Sequence, residues 1–140
     1  MENISIHLTT DPPSIDEAFD FINDGHYGGN CLFIGTVRHT TGDRKTVALD
    51  FESFEPMAIK EMKKIAERTL KQFGPGRCYM IHKTGKAVPG EIVVVIAIST
   101  AHRKSAFKAT EMAIDQLKES VPIWKKEILQ DGSFWVNAHP

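Results

Sequence analysis

An α+β fold is what this chain of 140 residues predicts, and three observations carry that reading. Short runs of strand-like apolar pattern stand beside longer runs of helical spacing, so both periodicities are present. Several strand-like runs are joined by turn sequences, Asp131-Gly132 and Pro89-Gly90 among them, which makes the sheet mostly antiparallel. With 41% hydrophobic and 25% charged residues, the chain has an ordinary globular composition and the length for one domain, residues 1–140, around a sizeable core. The sum is three helices and about seven strands.

Taken in order, Ile4, Ile6 and Leu8 alternate with polar residues, predicting a half-buried strand over residues 3–9 that Pro12-Pro13 ends. Ser14-Ile15-Asp16-Glu17 has the capping-box pattern, with Ser14 as N-cap and Glu17 reaching back. Ile15, Ala18, Phe19 and Ile22 give the short helix that follows one apolar face. The continuous run Cys31-Leu32-Phe33-Ile34 is too short for a helix and reads as a buried strand, continuing through Gly35-Thr36-Val37 to Arg38. Gly35 inside it marks close approach of a neighbour, and Arg38 at its end is placed to face a cleft. Residues 39–45 form a polar, mobile connection, and residues 46–54 return as a strand on Val47, Leu49 and Phe51.

Pro56 suits a first helical turn, and Met57, Ala58, Met62, Ile65, Ala66, Leu70 and Phe73 mark the buried face of a long helix that Gly74-Pro75-Gly76 stops. Residues 77–82 and 91–100 read as strands joined by a turn-rich connection over residues 83–90. The second of them, IVVVIAIS, is apolar throughout and so central, covered on both faces. A third helix follows, with Ala106, Ala109, Ala113 and Leu117 on one side. Pro122 ends it near residues 118–120 and pushes Val121 into an extended conformation. Residues 123–129 and 133–136 then make a hairpin about Asp131-Gly132, carrying Trp124 and Lys125 on one arm and Trp135 on the other.

Charge and composition exclude several functions. A net charge of −1 argues against a general nucleic-acid surface. No apolar run approaches the roughly 18 residues of a membrane span, and the first residues lack a signal-peptide core. Cys31 and Cys78 form no CxxC pair and no metal-ligand spacing, and read as two buried thiols of a reducing cytoplasm.

The residues with chemistry in them lie at the ends of elements. Lys118, Lys125 and Lys126 surround Pro122 and Trp124, and the proline means that only the fold can bring Lys118 and Lys125 together. Where a strand feeds a helix at Thr100-Ala101-His102-Arg103, free N–H groups favour an anion, and His102 and Arg103 could add donors. Residue types alone fit plainer readings too: a solvated helix end, a surface arginine at Arg38, a structural histidine at His102.

Four pieces taken in order are more specific: Gly35-Thr36-Val37-Arg38; Pro89-Gly90-Glu91; Ala101-His102-Arg103 with Ala106-Phe107; and Leu117-Lys118 followed by Pro122-Ile123-Trp124-Lys125-Lys126-Glu127. With this order and spacing the chain resembles the large, catalytic subunit of molybdopterin synthase, over most of its length from about residue 30 to residue 135. The resemblance implies an α/β-hammerhead fold with an added antiparallel β subdomain, and a homodimer. It implies a partner, the small ubiquitin-like synthase subunit, docked at each end to give a heterotetramer. That partner brings sulfur as a thiocarboxylate on its C-terminal Gly-Gly. The implied reaction inserts two sulfurs into cyclic pyranopterin monophosphate to make the dithiolene of molybdopterin. By position, Lys118 and Lys125 match the active-site lysines, and Arg38, His102 and Arg103, with the same two lysines, match the substrate pocket.

The chemistry is compatible with that. A phosphate-bearing substrate suits arginine and a helix N-terminus, and a leaving oxygen suits a nearby cation. The thiocarboxylate is itself the sulfur nucleophile, so no metal, nucleotide or other cofactor is expected. Two rivals stand beside this reading: a non-catalytic adaptor for a ubiquitin-like partner, and a small phosphohydrolase using Arg38 and His102. By strand alternation Lys126 points away from Lys125 and is expected to be only solvated.

Overall fold

The computed structural model describes residues 3–140. The elements run β1 (Ile4–Thr9), α1 (Ile15–Ile22), β2 (Gly29–Thr36), β3 (Thr40–Thr41), β4 (Arg44–Ser53), α2 (Glu55–Phe73), β5 (Gly76–Lys83), β6 (Gly85–Ala87), β7 (Ile92–Thr100), α3 (Arg103–Ser120), β8 (Ile123–Leu129) and β9 (Phe134–Asn137). They build two sheets. The first is four-stranded in the order β1-β5-β7-β2. Only β1 and β5 are parallel in it; β7 is antiparallel to both of its neighbours. The second runs β3-β4-β8-β9, with β6 also paired to β4. The α+β class read from the sequence is therefore present, in the hammerhead-type form implied by the resemblance, with the second sheet as the added antiparallel subdomain.

Strand alternation divides the first sheet between two apolar layers. Cys78, Met80, Ile96 and Ile98 face α2 and α3, against Met62, Ile65 and Ala66 of one helix and Ala109, Ala113 and Leu117 of the other. Tyr79, Ile81, Val95 and Ala97 face the other way, against Ala18 and Ile22 of α1. The run from Val93 to Thr100 is buried along its whole length, as a central strand covered on both faces requires. No helix among the described residues is long and apolar enough to cross a membrane.

The structure adds two strands to the expected seven, and both lie in stretches read as connections. Thr40 and Thr41 pair with Lys45 and Arg44 around Gly42, whose φ is +63°. Gly85, Lys86 and Ala87 pair with Phe51, Asp50 and Leu49. Neither piece is long enough to show period-two alternation, so pattern reading passes over both. Consistent with the first, β4 begins at Arg44, two residues before the expected start. At the start of α1, the Glu17 N–H donates to Ser14 Oγ at 3.2 Å. The return bond from the Glu17 carboxylate is not formed among the described residues, so only half of the capping box is present.

Candidate active site

The two sheets meet at a cavity of about 120 Å³, and the end of α3 closes one side of it. Each chemical group reaches this place for a local reason. Lys118 lies on the last turn of α3, where Pro122 stops the helix and Val121 turns extended at φ −77°, ψ 128°. The Val121 N–H donates to Leu117 O at 3.2 Å, and the Phe54 N–H to Pro122 O at 3.2 Å, fixing the exit from helix to strand. Lys125 then sits on β8 opposite Phe51, and Glu127 opposite Leu49. Alternation turns this pair of β8 residues to the cavity and sends Lys126 to the other face, opposite Asp50. There Lys126 is exposed, but not merely solvated: its ammonium lies 4.3 Å from the centre of the Phe134 ring.

Arg38 follows the end of β2 and is held there by the turn at Pro89-Gly90-Glu91. The Val37 N–H donates to Glu91 O at 3.0 Å, and the Gly90 N–H to Val37 O at 2.8 Å. Gly90 has φ +88°, and Glu91 Oε1 accepts from the Val88 N–H at 2.9 Å. The proline-glycine-glutamate motif is thus the brace behind Arg38. Gly35 is the close approach expected of it, since a Cβ there would meet Val94 Cγ1 at 2.5 Å.

The mouth of the cavity is cationic and its floor is buried. Arg38 and Lys118 are exposed and Lys125 is half-buried. Partial burial of its amine, then the charges of Lys125 and Arg38, hold Lys118 below the ordinary lysine value. Its Nζ donates to the main-chain oxygen of Pro140 at 3.2 Å, so this ammonium already holds a main-chain oxygen inside the site. Glu127, 5% exposed, accepts from Thr41 Oγ1 at 2.6 Å and from Thr46 Oγ1 at 2.5 Å. Burial pushes its carboxyl up, but the two hydroxyls, Lys125 and Arg44 outweigh burial and the net shift is down. A carboxylate kept ionised there sets one negative charge against three cations.

Sequence reasoning missed Glu127, Thr41, Thr46 and His82 as lining residues. Glu127 stood in a quoted motif, and its spacing of two from Lys125 on one strand was the available signal. Thr41 lay in a stretch read as a loop, Thr46 opened an expected strand with no sign of its partner, and nothing in the strand around His82 set it apart. His102 and Arg103, by contrast, are not among the residues that line this cavity. His102 is the N-cap of α3, without a side-chain capping bond, and both residues are exposed. Fifteen residues of helix separate Arg103 from Lys118, about 22 Å along the axis. One copy of the chain therefore brings together Arg38, Lys118 and Lys125 but leaves His102 and Arg103 at the opposite end of the helix.

Known proteins carry the same fold and much of the same sequence. The family model described as MoaE protein matches residues 8–120. The molybdopterin synthase catalytic subunit of Bacillus subtilis is 37% identical over 129 residues, 92% of this chain and 82% of that protein. A crystal structure of molybdopterin synthase from Staphylococcus aureus superposes with a TM-score of 0.90 at 33% identity, covering 99% of each chain. At 21% identity, a TM-score of 0.73 and coverage of 99% of this chain and 94% of the other, a complex of subunits 1 and 2 of molybdopterin-converting factor from Helicobacter pylori shares the fold. The chain belongs to the MoaE family, that of the molybdopterin synthase catalytic subunits.

Proposed function

We propose that this chain is a sulfurtransferase that completes molybdopterin. It takes sulfur from the C-terminal thiocarboxylate of a small ubiquitin-like subunit and delivers it to cyclic pyranopterin monophosphate, forming the dithiolene. The observation that carries the reading is Lys118 in its cavity. The Lys118 ammonium, lining the cavity with Lys125 and Arg38, grips a main-chain oxygen, that of Pro140. The incoming Gly-Gly tail would offer the same kind of oxygen, with the transferable sulfur next to it. The surplus of positive charge suits a phosphate ester and the charge that develops as a cyclic phosphate opens.

In this reading Lys118 holds and polarises the tail carboxyl. Lys125 closes the pocket from the strand side, and Arg38 takes the substrate anion. His102 and Arg103 bind substrate as well, and the 22 Å of helix between them and Lys118 means they do so in the pocket of a second copy. A homodimer with a small subunit at each end, a heterotetramer, supplies that arrangement. We read residues 1–140 as one domain and the cytoplasm as its compartment, in keeping with the free thiols of Cys31 and Cys78.

The test is reconstitution: this protein, thiocarboxylated small subunit and cyclic pyranopterin monophosphate, followed in a single turnover for dithiolene product. Formation of product is the expected result. Binding of the small subunit without product would favour a pure adaptor. Release of phosphate from simple esters without any sulfur donor would favour a phosphohydrolase.

A further inference from the structure

Beneath the three cations lies a group that neither the motifs nor the proposed chemistry uses. His82 is the penultimate residue of β5, paired with Leu8 on one side and Val94 on the other. The residue is 2% exposed and lines the cavity, and its ring lies edge-on to Phe51 at 5.0 Å. Nδ1 lies 2.7 Å from the Lys83 carbonyl oxygen. A carbonyl can only accept, so Nδ1 carries the hydrogen. The lone pair of the neutral ring is therefore on Nε2. Among the described residues Nε2 has no hydrogen-bond partner, yet it is not among the sealed, unpartnered polar atoms of the interior, which include Thr69 Oγ1 and Ser99 Oγ. The residue itself lines the cavity.

The charged groups facing this ring are Lys118 from α3, Lys125 and Glu127 from β8, and Arg38 from the end of β2. Glu127 Oε1 is taken up by two threonine hydroxyls. The side chains against the ring from β4 and β7, Phe51 and Val94, are apolar. We propose that His82 is a positioning residue for Lys118: its Nε2 is the neutral acceptor that orients the ammonium from below, so that one N–H points to the floor and the others to the reacting groups. Burial first, and then the Lys118 charge, push His82 down to about 4, against the pull of the Lys83 carbonyl. The ring therefore stays an acceptor throughout the range in which the lysine works. A protonated imidazole there could accept nothing and would repel Lys118.

The inference rests on Lys118 acting in sulfur transfer, but its first two readouts need no sulfur donor and so succeed or fail apart from that reading. His82→Asn keeps a donor where Nδ1 meets the Lys83 carbonyl and removes the acceptor at Nε2; His82→Gln puts an amide near the Nε2 position instead. In protein labelled with 15N-lysine, the side-chain titration of Lys118 should move to lower pH in His82→Asn, because the ammonium has lost an acceptor, and return towards wild type in His82→Gln. In the wild-type fold, the His82 Nε2 resonance should have the chemical shift of an unprotonated nitrogen and should move on Lys118→Met. Single-turnover sulfur transfer should fall at least about ten-fold in His82→Asn, the loss expected for one hydrogen bond to a charged group, and recover in His82→Gln. A merely structural histidine gives the opposite ranking, with Asn tolerated and Gln not. An Nε2 resonance indifferent to Lys118→Met, or a Lys118 titration unmoved in His82→Asn, overturns the coupling. A shifted titration with normal turnover overturns the positioning role.

Discussion

Three lysines within nine residues have three different surroundings, and their substitution should separate them. Lys118→Ala should nearly abolish sulfur transfer and Lys125→Ala should impair it strongly. Lys126→Ala, which removes only an ammonium lying over Phe134, should change it less than about two-fold, in line with the small worth of an exposed cation–π contact. Single-turnover assays of the three variants check this, and equal losses at Lys125 and Lys126 would refute the assignment. His82 makes a separate prediction about acid. Its folded value of about 4 lies below the ordinary 6.5, so between those values the unfolded chain binds a proton that the folded one does not. Stability from this group is complete above about pH 6.5 and is lost as pH falls towards 4. The full loss is about 3 kcal/mol. Urea unfolding at pH 7 and pH 4.5 should therefore show a steeper loss in wild type than in His82→Phe. Glu127 acts in the same direction, since its carboxyl is held below the usual range and its contribution also disappears on acidification.

At the level of elements, the site depends on how β3, β4 and β8 are clamped. Glu127 reaches from β8 to Thr41 on β3 and Thr46 on β4, so a single carboxylate ties three strands. Glu127→Ala should cost about 1–3 kcal/mol, because a buried hydroxyl loses its acceptor, while Glu127→Gln, which keeps an acceptor oxygen, should cost less. Denaturant midpoints measure both. This clamp also shows where the sequence was legible and where it was not. Long elements with clear periodicity, α2, α3 and β7, could be read directly, as could the stop at Pro122 that delivers Lys118. The two-residue β3 could not: Thr40 and Thr41 have no pattern of their own and become a strand only because Lys45 and Arg44 fold back on them. His82 was invisible for a related reason. Its role follows from what packs around it, from Phe51 to Lys118, and those neighbours are distant in the chain.

At the level of the whole molecule, one copy gathers Arg38, Lys118 and Lys125 and leaves His102 and Arg103 at the far end of α3, so the proposed substrate pocket draws on two copies. A complementation experiment follows. Lys118→Ala and Arg103→Ala should each be inactive as homodimers. Mixed with each other, they should regain activity, because one pocket of each mixed dimer draws Lys118 from one copy and Arg103 from the other, both wild type. Exchange of subunits followed by turnover measures it, and a mixture as inactive as its parents would tie both residues to one copy.

Gly29 then has a mechanical consequence. A Cβ at this position of β2 would lie 2.6 Å from the carbonyl carbon of His102 and 2.7 Å from the nitrogen of Arg103, so the strand bears directly on the butt of α3. A helix is stiff along its axis, and a push at one end is a displacement at the other. Gly29→Ala would force the first turn of α3 to give way, and the part of that shift that runs along the axis would reach Lys118, although the new methyl lies a helix length away. Misplacement of a reacting group by 1 Å can cost about a hundred-fold in rate. In the proposed dimer, whose pockets draw on both copies, the same rod would shift a ligand of one pocket and the lysine of the other in a single stroke, so a lone methyl group should detune both sites at once.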